Sequence, residues 1–133
     1  MKSYLFDAFP LLCWLQEEPG WEMVDRLLKE AEEKESRISI HIINVGEVYY
    51  RSCRLVGLKK AEKILTDLRM LPLSFIPASE ASVLEAAKIK GQYPVSYADA
   101  FAIATAIRLE AVVVTADPEY RSVSKFLEIL WLR

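Results

Sequence analysis

Ser96-Tyr97-Ala98-Asp99-Ala100-Phe101-Ala102-Ile103-Ala104-Thr105-Ala106-Ile107-Arg108-Leu109, followed after one residue by Ala111-Val112-Val113-Val114-Thr115-Ala116-Asp117, is the stretch on which the fold turns. Its first part carries apolar residues around nearly the whole helical circumference, which predicts a helix over 96–109 that is buried on most sides. Its second part is a valine block without polar alternation, which predicts a strand over 111–114 covered on both faces. A strand of that kind belongs to a parallel sheet with helices on each side.

Outward from this stretch the same alternation continues. Strands are expected at Ser3–Phe6, Ile38–Ile43, Leu73–Ile76 and Phe126–Leu130, and helices at Ala8–Gln16, Trp21–Lys34, Asn44 to Leu55, Lys59–Arg69 and Ser79–Lys90. Gly57 suits the C-terminal cap of the helix opened by Asn44, and the two helices around it form a hairpin. Pro118–Val123 reads as a short helical turn and Gly91–Pro94 as a loop. The expected architecture is therefore α/β, a central parallel sheet of about five strands flanked by helices, in a single domain spanning residues 1–133.

Composition narrows the function. The hydrophobic fraction of 53% exceeds the usual range of about 45–50%, which hints at a partner surface. Net charge is −2, but removing four negative charges to a bound cation leaves +2, so a phosphate-bearing substrate is not repelled. Cys13 and Cys53 have no C-x-x-C spacing and His41 is the single histidine, which excludes a structural zinc site and suits two buried thiols in a reducing compartment. The N-terminal apolar stretch is interrupted by Asp7 and Pro10, and no run approaches the ~20 apolar residues of a membrane span, so a cytoplasmic location is expected.

Four carboxylates stand out. Asp7 follows the first strand and can cap the next helix. Asn44-Val45-Gly46-Glu47 fits a capping box, and Glu47 shares a helix face with Arg51 and Arg54. Ser96-Tyr97-Ala98-Asp99 is a second such box, but Asp99 then sits on a helix with little polar face and no cation within a turn, where a charge is costly unless something pairs with it. Asp117 precedes Pro118 at a helix start, with Glu119 adding acidity. Each acid has a purely structural use. Together they lie at strand C-terminal ends and helix starts, which converge on one edge of a parallel sheet. Clustered carboxylates need raised pKa values or a cation, and oxygen-only ligands favour Mg²⁺ or Mn²⁺. Arg51, Arg54, Lys88, Lys90 and Arg121 are candidate phosphate contacts.

On these residues the chain resembles the PIN-domain family, and within it the VapC-type toxins of bacterial and archaeal toxin–antitoxin pairs. Tyr4-Leu5-Phe6-Asp7 resembles the family's opening strand and first acid, and Asn44-Val45-Gly46-Glu47-Val48 its second motif. Ser96 to Ala106 is the closest match, and Val113-Val114-Thr115-Ala116-Asp117 resembles the last motif. The resemblance spans nearly the whole chain in order. Asn44 departs from the serine or threonine often found there, and Ala8 from a small polar residue; both leave the acids intact.

The resemblance implies a three-layer PIN-like sandwich in which Asp7, Glu47, Asp99 and Asp117 hold one or two Mg²⁺ or Mn²⁺ ions, with Thr115 and Asn44 supporting them. It implies a ribonuclease in which a metal-activated water cleaves single-stranded RNA, acting as the toxin of a type II pair. A homodimer follows from it, as does a cognate antitoxin that covers the cleft with an apolar segment. Two other functions fit the same fold: a non-catalytic PIN-like binding module, and an RNA-processing PIN nuclease that is not a toxin. A receiver domain lacks its adjacent acids and its lysine after the last strand, and a Rossmann or P-loop site lacks its glycine-rich loop.

Overall fold

The computed structural model describes residues 1–133. Five strands, β1 (Lys2–Phe6), β2 (Ser36–His41), β3 (Leu73–Ile76), β4 (Val112–Thr115) and β5 (Ile129–Trp131), form one sheet in the order β3-β2-β1-β4-β5. Every pairing is parallel. The helices are α1 (Ala8–Leu15), α2 (Trp21–Glu32), α3 (Ile42–Val56), α4 (Leu58–Leu68), α5 (Glu80–Gln92) and α6 (Tyr97–Leu109), with a 3₁₀ helix at Pro118–Val123.

Side chains alternate across a strand, so the sheet feeds two separate cores. Tyr4, Phe6, Ile38, Ile40, Val112 and Val114 point to one face and pack with α1, α2 and the α3–α4 hairpin. Leu5 and Val113 point to the other and pack against Ala100, Phe101, Ile103 and Ala106 of α6, with Ala86 of α5 and with Tyr120 and Val123. The valine block is buried throughout, and α6 is buried from Asp99 to Ala106, as its composition predicts.

Several boundaries move. The second strand stops at His41, and α3 begins at Ile42, two residues before Asn44. The β-branched pair Ile42 and Ile43 looks like strand, but the His41 imidazole takes the capping position, with Nδ1 accepting from Ile43 N at 3.0 Å. Gly91 lies inside α5, which runs to Gln92. The last strand is Ile129–Trp131 because Val113 pairs with Ile129 and Thr115 with Trp131, leaving Phe126 exposed outside the sheet. Gly57 does cap α3, at φ +87. Gly20, at φ +104, precedes α2; a Cβ there would lie 3.0 Å from the Leu132 carbonyl oxygen, so only glycine lets the C-terminal segment close over this turn.

Strand order reverses direction at β1. The chain builds outward to β2 and β3, then returns to the other side of β1 for β4 and β5. The crevice left between neighbouring crossovers at that switch point, beyond the strand C-terminal ends, is where an open α/β sheet receives ligands.

Candidate functional site

Asp7 stands at that switch point, immediately after β1. Its Oδ1 accepts from Phe9 N at 3.0 Å, capping α1, while Oδ2 accepts from the Thr115 hydroxyl at 2.8 Å. The same hydroxyl oxygen accepts from Asp117 N at 3.1 Å. Thr115, fully buried at the end of β4, thus ties the acid after β1 to the acid after β4. Asp117 caps the 3₁₀ helix, its Oδ1 accepting from Glu119 N at 2.9 Å. Both capping roles expected from sequence are present; Asp7 has both oxygens engaged, and Asp117 keeps Oδ2 free of protein partners.

The boxes around the other two acids do not form as their spacing predicts. Because His41 caps α3, Asn44 lies one turn inside the helix, fully buried, and its Nδ2 donates to the Ala98 carbonyl at 3.1 Å. At Ser96, half of the box is made, with Asp99 N donating to Ser96 Oγ at 3.1 Å. The reciprocal half is taken by a residue from another element, since Ser96 N donates to Glu119 Oε2 at 3.1 Å. The Asp99 carboxylate is therefore released from capping and faces its acidic neighbours. Tyr120 donates its hydroxyl to Asp99 Oδ1 at 3.4 Å.

Of the four acids singled out by sequence, Asp99 and Asp117 meet within ligand distance, Asp7 is tied to Asp117 through Thr115, and Glu47 lies near enough for its charge to act on Asp7. Glu47 feels the charge of Asp117, Asp7 that of Glu47, and Asp99 those of Asp7 and Asp117. Burial pushes Asp7 up to about 7, against the opposing bonds from Thr115 and Phe9. Burial, then the hydrogen bond with Glu119, then the charge of Asp7 push Asp99 up to about 9. Glu119 is held below its ordinary value by its bonds with Asp99 and with Ser96 N. Burial also raises Glu47, while Arg51, 3.6 Å away, pulls it back.

Asp99, Asp117 and Glu119 each present an oxygen within 4.8 Å of the others, a spacing that a single cation can bridge. The set is oxygen-only, which suits Mg²⁺ or Mn²⁺ rather than a softer ion. Asn44 supplies a separate observation: its Oδ1 is buried without a partner beside Glu47 and the first turn of α6. A buried acceptor left unpaired costs about 1–3 kcal/mol, a cost that a water or the hydration shell of an ion reaching Oδ1 would offset.

The candidate phosphate contacts divide. Arg51 is paired with Glu47 at the rim. Lys90 donates to the Val95 carbonyl at 3.0 Å and its charge reaches Glu119. Arg121 is exposed on the 3₁₀ helix two residues past Glu119. Arg54 lies over the Tyr50 ring, 5.1 Å from its centroid. Lys88 lines a different feature, a groove of about 440 Å³ between α5 and the C-terminal half of α6, which none of the acids lines.

Two residues at the site were not singled out by sequence. Glu119 reads as a helix-dipole residue until Ser96 is seen to be its partner. Tyr120 reads as core; its spacing to Val123, also buried, is the 3-residue repeat of a 3₁₀ turn, and nothing local marks its hydroxyl.

Solved structures share this fold at low identity. The DNA-bound VapBC complex of Salmonella typhimurium aligns with a TM-score of 0.77 and 14% identity over 100% of both chains. The FitAcB structure of Neisseria gonorrhoeae gives 0.72 and 19% over 97% of each. The sarcin-ricin-loop-cleaving toxin VapC20 of Mycobacterium tuberculosis gives 0.66 and 14% over 83% of this chain and 86% of that one. No curated protein matches the sequence. The family model described as PIN domain matches residues 4–126. Because that match runs from the first strand to the approach to the last, the protein belongs to the PIN domain family.

Proposed function

We propose that this protein is a divalent-cation-dependent ribonuclease and the toxin of a type II toxin–antitoxin pair. The observation that carries the nuclease is the convergence of Asp7, Glu47, Asp99 and Asp117, joined by Glu119, at the switch point of the sheet, where burial raises Asp7, Glu47 and Asp99 and a bound cation would offset the crowding of negative charge. Asp7, Glu47, Asp99 and Asp117 would hold one or two Mg²⁺ or Mn²⁺ ions, with Thr115 and Asn44 orienting them. Such an ion, when bound, polarises a phosphoryl oxygen and supplies a more acidic water. The chain's own part is to hold the carboxylates fixed: Thr115 by its bond to Asp7, Asn44 by its bond to Ala98, Ser96 by capping Asp99. Arg51, Lys90 and Arg121 border the acids and would take backbone phosphates, whereas Arg54 lies over the Tyr50 ring and Lys88 in a separate groove.

The toxin assignment draws on the solved neighbours, which include VapBC complexes and a sarcin-ricin-loop-cleaving toxin. An antitoxin needs an apolar landing surface, and Tyr50, Leu55, Val56 and Leu58 are exposed along α3 and the start of α4, beside a depression lined by Leu12, Leu15 and Ile64. The protein would act on RNA in the cytoplasm, as a homodimer whose sedimentation at high concentration checks that state. The decisive experiment is cleavage of single-stranded RNA with Mn²⁺ and with EDTA. Activity is expected with the metal alone, and Asp7→Asn and Asp99→Asn should each lose about a hundredfold or more. Full activity in either variant, or in EDTA, overturns the mechanism.

A further inference from the structure

Tyr120 is one of the largest fully buried side chains of the protein, packed in the core beneath α6. A phenylalanine would fill that space equally well. Burying a phenol hydroxyl instead is costly without a partner, and buried tyrosines normally find one. Here the hydroxyl's partners are all acids of the site. It donates to Asp99 Oδ1 at 3.4 Å, while both oxygens of Asp7, whose charge also reaches it, already accept from Phe9 N and Thr115. No other element takes its proton. A tyrosine hydroxyl has one hydrogen to give, so it serves the acid with spare capacity, Asp99.

We propose that Tyr120 is a positioning residue for divalent-cation binding: from inside the core, its hydroxyl holds the Asp99 carboxylate in the orientation that a cation shared with Asp117 and Glu119 requires. This rests on the reading of the acids as a cation site. The physical basis is that a donor aimed at a carboxylate favours its charged form and fixes its rotamer, and Asp99 has no cationic side chain for either task. The charges of Asp7 and Asp117 repel it once it is ionised. Ser96 fixes only the Asp99 backbone, through the amide. Tyr120 is thus the one neutral donor of the site that reaches Asp99's side chain.

The test uses the full chain and Mn²⁺ or Mg²⁺ alone. In a titration followed by the electron paramagnetic resonance of free Mn²⁺, Tyr120→Phe should bind about tenfold more weakly than wild type, the usual size of effect for a residue that orients a ligand. Without metal the variant should melt close to wild type, because the ring and its packing in the core are retained. Saturating wild type with Mg²⁺ should also produce a tyrosine difference absorption near 290 nm that Tyr120→Phe lacks. That signal does not depend on the variant's affinity and so stands even if the variant folds poorly. Equal Mn²⁺ affinity in the two proteins, or no tyrosine signal in wild type, overturns the positioning role. Failure of wild type to bind either ion overturns the cation site itself.

Discussion

The Thr115 hydroxyl and the Asp7 carboxylate, 108 residues apart in sequence, meet at 2.8 Å in the buried seam between β4 and β1. One oxygen atom thereby registers two adjacent parallel strands at their C-terminal ends and sets the distance between the acids that follow them. Its position follows from the pairing of Phe6 with Val114, which brings the next residue of each strand alongside.

Removing that hydroxyl should be expensive. Thr115→Val keeps the shape but leaves Asp7 Oδ2 and Asp117 N without their partner, and a buried hydrogen bond to a charged group is worth about 1.5–3 kcal/mol. Urea unfolding at pH 8 should show a loss of that size, whereas Thr115→Ser should lose only about 0.8 kcal/mol, the value of one buried carbon. Equal losses would mean that the threonine is retained for packing.

The acids should make the metal-free protein less stable as pH rises. An aspartate whose folded pKa is raised binds its proton more tightly in the folded state, so its stabilisation is complete below about pH 4 and is lost as pH climbs through the folded value. For Asp7 that window runs from 3.8 to about 7, and for Asp99 from 3.8 to about 9. Glu119, with a lowered value, opposes this at the acid end, but it is exposed and its share is small. Asp99→Asn should therefore raise the EDTA-treated protein's stability at pH 8 by about 1–3 kcal/mol, the scale of relieving an uncompensated buried polar group. Thermal melts at pH 5 and pH 8, with and without EDTA, measure it. Destabilisation by this substitution at pH 8 would contradict the placement of the charge.

Divalent metal should reverse the trend. Mg²⁺ or Mn²⁺ at about a hundred times its Kd should add about 2.7 kcal/mol, which for a domain of this size is a rise of about 10 °C in Tm. Asp7→Asn should abolish most of that rise while the variant's own metal-free Tm stays at or above that of wild type. An equal rise in variant and wild type would place the ion elsewhere.

His41 carries the opposite pH dependence. Its Nδ1 accepts from Ile43 N, which obliges Nε2 to bear the proton and donate toward Ser82 Oγ, 3.3 Å away. Protonating Nδ1 would set two donors against each other at the start of α3, and burial lowers the imidazole's pKa accordingly. A histidine with a lowered folded value stabilises above about pH 6.5 and loses that contribution as pH falls below it. His41→Asn retains a capping side chain and should flatten the loss between pH 6.5 and 5, read as the urea midpoint of variant and wild type at each pH. Parallel curves would assign the acid sensitivity to other groups.

Much of this was legible in the chain because local and global preferences agree. The valine block, the polar-poor helix and the acids placed after strands are each short-range signals, and Asp7 and Asp117 cap their helices as such acids do. Asn44 misled because Ile42 and Ile43 carry the composition of a strand and histidine is an unusual cap. Ser96 misled for a different reason: its box is completed by Glu119, 23 residues away, and spacing carries no information about a partner from another element. The role of Tyr120 was invisible because burial of an aromatic ring needs no explanation until its hydroxyl is placed among carboxylates. Local pattern thus located the crevice, while the contacts that tune it came from tertiary structure.

The crossing-back of the chain at β1 has a further bearing on synthesis. During translation, everything up to β3 can emerge with Asp7 and Glu47 already displayed, yet the strand that seats Thr115 and the turn that bears Asp117 come last. A ribosome making this protein therefore completes most of it before Asp99, Thr115 and Asp117 join the crevice, and a product ending before residue 96 lacks all three along with most of the core beneath α6.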